Sequence, residues 1–188
     1  SDTETLLAAI EQWGVEKALE QARGMFALAL WDRDRRELSL ARDRLGEKPL
    51  YYGWSGGAFL FASELSAFEA FPGFERHVSR EALGALLQLA YVPAPLSIYE
   101  QVYKLEPGAM LAVNREAAAS PPGQPPSVGR GGNGLELKRW FSLARMATES
   151  QADPLTDEGE AETRCLARLK EACSLQMLSD VPLGAFLS

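Results

Sequence analysis

Twice in the first third of the chain, an apolar, aromatic-rich run is followed by a tight polar or glycine turn and a second apolar run. Met25-Phe26-Ala27-Leu28-Ala29-Leu30-Trp31 leads through a polar stretch, residues 32–36, into residues 37–42. Leu50-Tyr51-Tyr52-Gly53-Trp54 leads through Ser55-Gly56-Gly57 into Ala58-Phe59-Leu60-Phe61-Ala62. Side chains that alternate with a period of two, interrupted by a turn, can bury one face only by folding back as a hairpin. Four antiparallel strands are therefore specified by local sequence. The first run is apolar on both faces, which predicts a central strand buried on both sides.

Helical signals surround these strands. Ser1-Asp2-Thr3-Glu4 has the form of a capping box, after which Leu6, Leu7, Ile10 and Trp13 recur at helical spacing until Gly14. A second short helix follows, with Val15, Ala18, Leu19 and Ala22 inward. Residues 63–71 predict a short helix stopped by Pro72-Gly73, and Ser79 caps another that runs from Arg80 to about Ala90. Tyr91-Val92-Pro93-Ala94-Pro95 then forces an extended crossing, because each proline moves its predecessor out of the helical region. Leu105-Glu106-Pro107-Gly108 reads as a turn before a strand at residues 109–113, with residues 135–141 as its partner. Between them, residues 117–134 are rich in Pro, Gly, Ser and Ala and predict a mobile loop. Asp157 or Thr156 caps a long helix to about Leu178, with Leu166, Leu169, Cys173 and Met177 on one stripe. Residues 181–188, from Val181 to Ser188, read as an apolar strand.

Composition narrows the function classes. With 188 residues, a formal charge of −7 and a pI near 4.9, the chain has no long-range attraction for nucleic acid or anionic lipid. No apolar run approaches the roughly 18–20 residues that span a bilayer, so the expected compartment is the cytoplasm. Cys165 and Cys173 share one predicted helix about 12 Å apart along its axis, beyond disulfide reach, and read as buried free thiols. The cluster Arg33, Arg35, Arg36, Arg42, Arg44 and Lys48 alternates with carboxylates and reads as a solvated hairpin face. His77 is the one histidine and sits in a polar stretch. No Cys/His spacing suits zinc, and Gly131-Gly132-Asn133-Gly134 neither follows an apolar strand nor opens a helix, as a phosphate loop does. Glu64, Asp43 and Asp180 could serve an acid/base pair, but spacing alone does not show that two of them meet, and each reads as structural or solvated. Residue chemistry alone describes a soluble α+β protein without an assigned reaction.

Several stretches together resemble the glutamine-hydrolysing asparagine synthetase family. Ser1-Asp2-Thr3-Glu4 with Leu6-Leu7 is similar to the end of its glutamine-binding segment. Gly24-Met25-Phe26-Ala27-Leu28-Ala29-Leu30-Trp31-Asp32 is similar to a central glutaminase strand. The most specific match is Ala41-Arg42-Asp43-Arg44-Leu45-Gly46-Glu47-Lys48-Pro49-Leu50-Tyr51-Tyr52. Phe61-Ala62-Ser63-Glu64-Leu65 and Lys104-Leu105-Glu106-Pro107-Gly108 extend it, and Ser179-Asp180-Val181-Pro182-Leu183-Gly184-Ala185-Phe186-Leu187-Ser188 resembles the strand that delivers a pyrophosphate-binding loop.

The resemblance implies an α+β fold: amino-terminal-nucleophile (Ntn) glutaminase-type antiparallel sheets with flanking helices, then the start of an α/β pyrophosphatase-type synthetase domain. Residues 1–141 would be a partial type 2 glutamine amidotransferase domain, and residues 142–188 the linker, first helix and first strand of the synthetase domain. In such enzymes an amino-terminal cysteine attacks the glutamine amide to form a thioester. The released ammonia crosses to aspartate that ATP, as its Mg2+ complex, has activated as β-aspartyl-AMP. Asp2 matches the carboxylate that pairs with the glutamine α-ammonium; without the resemblance it is a helix cap. Met25 matches the mouth of the ammonia passage; without it, Met25 is a core methionine. Phe186, Leu187 and Ser188 match the approach to the ATP site. The nucleophile would precede Ser1, so this chain alone is expected to hold no catalytic residue, to bind no cofactor and to be inactive. A related amidotransferase of surface-polysaccharide synthesis with another acceptor, and a non-catalytic module, stay open as alternatives. Homo-oligomerisation stays open as well.

Overall fold

Both hairpins form at the expected turns. The computed structural model describes residues 1–121, 126–128, 134–177, 181, 182 and 184, and the chain divides into two units, Ser1–Leu143 and Ala144–Ser188. In chain order the first unit contains α1 (Asp2–Trp13), α2 (Val15–Gln21), β1 (Ala27–Asp32), β2 (Glu37–Arg42), β3 (Tyr51–Ser55) and β4 (Ala58–Ala62). It continues with α3 (Leu65–Glu69), α4 (Arg80–Leu89), β5 (Val102–Lys104), β6 (Ala109–Val113), α5 (Arg115–Ala119) and β7 (Leu135–Arg139). Helix α6 (Leu143–Ser150) starts at the junction, and α7 (Glu158–Gln176) belongs to the second unit.

The strands make two antiparallel sheets, one in the order β1-β2-β6-β7 and one in the order β4-β3-β5. Register places Ala29, Leu40, Leu111 and Leu137 in one row across the larger sheet. Residues two apart share a face, so Leu38, Leu40, Ala109, Leu111, Val113, Leu135 and Leu137 all point the same way. They pack against Leu50, Tyr52, Trp54, Tyr103 and Leu105 of the smaller sheet and its flanks to form the main core. Each fully buried leucine there contributes about 1.5–3 kcal/mol. The alternate residues Leu28, Ala41 and Met110 face the other side, where Leu19 and Val15 of α2 cover them together with Phe26 and Trp140. The result is α2 layered on a pair of stacked antiparallel sheets, an α+β fold.

Capping follows the sequence closely. Ser1 Oγ accepts the Glu4 amide at 3.4 Å while Glu4 reaches back to the Ser1 nitrogen at 2.6 Å, which completes the capping box of α1. Ser79 Oγ accepts the Ala82 amide at 3.2 Å and Asp157 Oδ1 accepts the Glu160 amide at 2.6 Å, so both expected caps start their helices. The turn between β1 and β2 is set by Asp32 Oδ1, which accepts the amides of Asp34 and Arg35 at 2.9 Å each.

Four expectations are corrected. The first apolar run is not a central strand: β1 starts at Ala27 and lies at the edge of its sheet. Ala29 and Trp31 stand opposite Leu40 and Leu38 on the core-side face, yet Trp31 is 54% exposed, because of the β1 residues on that face only Ala27 packs against the main core. Residues 117–119 are not loop but the end of α5, where Asn114 Oδ1 accepts the Ala117 amide at 2.9 Å and the Trp54 indole donates to the Ala117 carbonyl at 2.9 Å. The rest of that stretch is described at residues 120–121, 126–128 and 134. The basic cluster is not one solvated face: Arg33, Arg35 and Arg36 are exposed, whereas Arg42 and Arg44 are drawn into the fold by backbone carbonyls. The thiols are not buried either.

Cys165 and Cys173 are both exposed on α7, which buries none of its residues, and Leu169 of the expected stripe is 59% exposed. Helical periodicity identifies a stripe but not what covers it. Both thiols are therefore expected to react with an aromatic disulfide reagent under native conditions as fast as in denaturant. Protection of either would contradict their placement. The expected terminal strand at residues 181–188 lies largely outside the described residues; Val181 is in a bend.

Candidate functional site

The segment most tightly organised by side chains is residues 42–49, between β2 and β3. Arg42 is the last residue of β2, and its guanidinium donates to three carbonyls: Lys48 at 2.7 Å, Leu105 at 2.7 Å and Gly46 at 2.6 Å. Asp43 follows and is 1% exposed. Its Oδ2 accepts the amides of Lys48 at 2.9 Å and Phe26 at 3.3 Å, and its Oδ1 those of Glu47 at 3.0 Å and Leu45 at 3.2 Å. A carboxylate with this many amide donors is a strong acceptor site. Burial by itself pushes the Asp43 carboxyl up, but the amides of Lys48, Glu47, Gly46 and Leu45 outweigh it and hold the group below its ordinary value. Gly46 sits at φ +71, where a Cβ would lie 2.8 Å from the Pro107 ring, so the turn closes against the segment that leads into β6.

Arg44 turns the other way. Its guanidinium donates to the carbonyl of Glu20 at 2.6 Å and to that of Ala22, at the end of α2. It also stacks over the rings of Trp140 and Phe141, 5.4 and 5.5 Å from their centroids. Trp140 lies nearly parallel to Phe26 at 6.0 Å. Asp43 and Phe26 are joined a second time, by the Asp43 amide and the Phe26 carbonyl at 2.9 Å. One acid and one base, adjacent in sequence, thus hold both ends of residues 22–26.

Met25 lies on that held segment and is 51% exposed, so it is not a core methionine. Asp2 lies exposed in the first turn of α1, with its Oδ1 accepting the Thr3 amide at 2.9 Å. Helix α1 packs against α2, whose Val15 and Leu19 cover the larger sheet and which leads into the Met25 segment. Phe186, Leu187 and Ser188 lie outside the described residues.

Two clefts occur elsewhere on the first unit. One, of about 300 Å3, lies at the β3–β4 turn and is lined by Gly56, Glu75, His77 and Glu100 among others. His77 Nδ1 stands 3.6 Å from Glu75 and both side chains are largely exposed, consistent with a surface histidine. The other, of about 280 Å3, is an apolar groove between β4 and α3. Neither is lined by Asp2 or Met25. Among the described residues no group of three or more His, Cys, Asp and Glu side chains could hold a metal, and no helix is long and apolar enough to cross a membrane.

The first unit is thus an α+β protein with two antiparallel sheets, in which Arg42, Asp43 and Arg44 are engaged by main-chain carbonyls and amides. The sequence matches the glutamine amidotransferase domain family over residues 1–122. It is 32% identical over 189 residues to asparagine synthetase [glutamine-hydrolyzing] 3 of Bacillus subtilis, covering 100% of this chain and 27% of that protein. It is 30% identical over 188 residues to asparagine synthetase [glutamine-hydrolyzing] 1 of the same organism, covering 100% of this chain and 26% of that protein. Among solved structures, the glutamine phosphoribosylpyrophosphate amidotransferase of B. subtilis aligns with a TM-score of 0.46 and 23% identity, covering 76% of this chain and 23% of that one. The chain belongs to the glutamine amidotransferase domain family. It spans about a quarter of the length of the curated relatives it matches.

Arg44, Trp140 and the Asp43 hub were not singled out from the sequence as site residues. The signal available was the motif Arg42-Asp43-Arg44-Leu45-Gly46 directly after an apolar strand, where a carboxylate flanked by two cations is placed to enter the fold rather than leave it.

Proposed function

We propose that this chain is part of a glutamine-dependent asparagine synthetase. The supporting observation is the similarity over its whole length to relatives of that name. In this reading residues 1–141 are part of the glutaminase domain and residues 142–188 open the synthetase domain of a longer, cytoplasmic polypeptide. A cysteine thiolate supplied by flanking sequence attacks the glutamine side-chain amide, expels ammonia and leaves a thioester that water hydrolyses to glutamate. Asp2, at a helix start where its charge is tolerated, pairs with the α-ammonium of glutamine. Met25 stands at the entry to the route that ammonia takes. Aspartate attacks ATP, bound as its Mg2+ complex near Phe186, Leu187 and Ser188, to give β-aspartyl-AMP and pyrophosphate, and ammonia displaces AMP to give asparagine. Adenylation turns a poor leaving oxygen into a good one.

The test uses the polypeptide that carries this chain with the flanking segments its relatives possess. With ATP and ammonium, pyrophosphate release is expected to depend on aspartate and to be accompanied by asparagine and AMP. Pyrophosphate release that ignores aspartate but responds to a different carboxylate would replace asparagine synthesis with another amidation.

A further inference from the structure

We draw no further inference here: the strongest candidate, the apolar groove of about 280 Å3 between the edge strand β4 and α3, lined by Leu60, Phe61, Phe68 and Phe71 among others, carries nothing because nothing in the structure shows what covers it.

Discussion

Gly53→Ala is expected to destabilise the first unit by about 3–5 kcal/mol, within the range of severe overpacking. Gly53 is in the middle of β3, itself the middle strand of its sheet, and is paired with Leu60 on one side and Val102 on the other. A Cβ there would sit 2.3 Å from the Gln101 carbonyl oxygen and 2.8 Å from the Val102 α-carbon. Both are backbone atoms, so no side chain can rotate away to relieve the clash. Relief requires β3 and β5 to part, which breaks the bond from the Trp54 amide to the Gln101 carbonyl at 3.1 Å and pulls Tyr103 away from Tyr52, now 5.7 Å centroid to centroid. A fall in melting temperature on the order of 10 °C corresponds to that loss for a chain of this size. A shift below about 2 °C would show that β5 is not held where it is described.

Asp43→Ala is the second large effect, at about 3–4 kcal/mol, since the substitution strands several buried amide donors at once. Those of Phe26, Leu45, Glu47 and Lys48 all lose their acceptor. Asp43→Asn keeps an oxygen but points an NH2 group at amides that are themselves donors, so it is expected to recover only part of the loss. The acid behaviour follows from the sign of the shift. The folded carboxyl titrates below its ordinary value of 3.8, so its contribution is complete above that pH and disappears as pH falls through the lower folded value. Denaturant titrations of parent and Asp43→Ala should therefore differ by a constant amount from neutral pH to about pH 5, then converge as the pH falls further. A difference that already shrinks between pH 7 and pH 5 would mean that the carboxylate is not held by these amides.

The two hairpins, the strand at residues 109–113 and the three helix starts at Ser1, Ser79 and Asp157 were legible because their signals are local: alternation, a turn glycine, a side-chain cap. What escaped depends on distant partners. The apolar faces of β1 imply burial, but its place at the sheet edge is set by which strands pair. Strand β5 has three residues and too little alternation to announce itself. Helix α5 carries a usable signal in Asn114 before a run of good helix formers, a signal masked by the Pro- and Gly-rich residues that follow it. The site was legible only through resemblance. Arg42 and Arg44 look solvated, and Asp43 structural or solvated, because their partners are main-chain carbonyls and amides, which every sequence possesses and none displays.

Met25 is where the fold and the proposed chemistry meet. It is exposed on a segment whose ends are fixed by Asp43 and Arg44, a geometry suited to presenting a side chain to a partner surface rather than to filling a core. Asp2 is in the first turn of α1, the helix that packs against α2. In the function proposed above, Asp2 would pair with the α-ammonium of glutamine and Met25 would stand where ammonia leaves.

Transfer of nitrogen-15 from the side-chain amide of glutamine decides the matter most directly. When the polypeptide that contains this chain is given labelled glutamine, aspartate and Mg-ATP, mass spectrometry should find the heavy nitrogen in the side-chain amide of asparagine, with glutamate and AMP formed in step. Heavy nitrogen found only in free ammonium, or in the amide of a different acceptor, would contradict the assignment to asparagine synthesis.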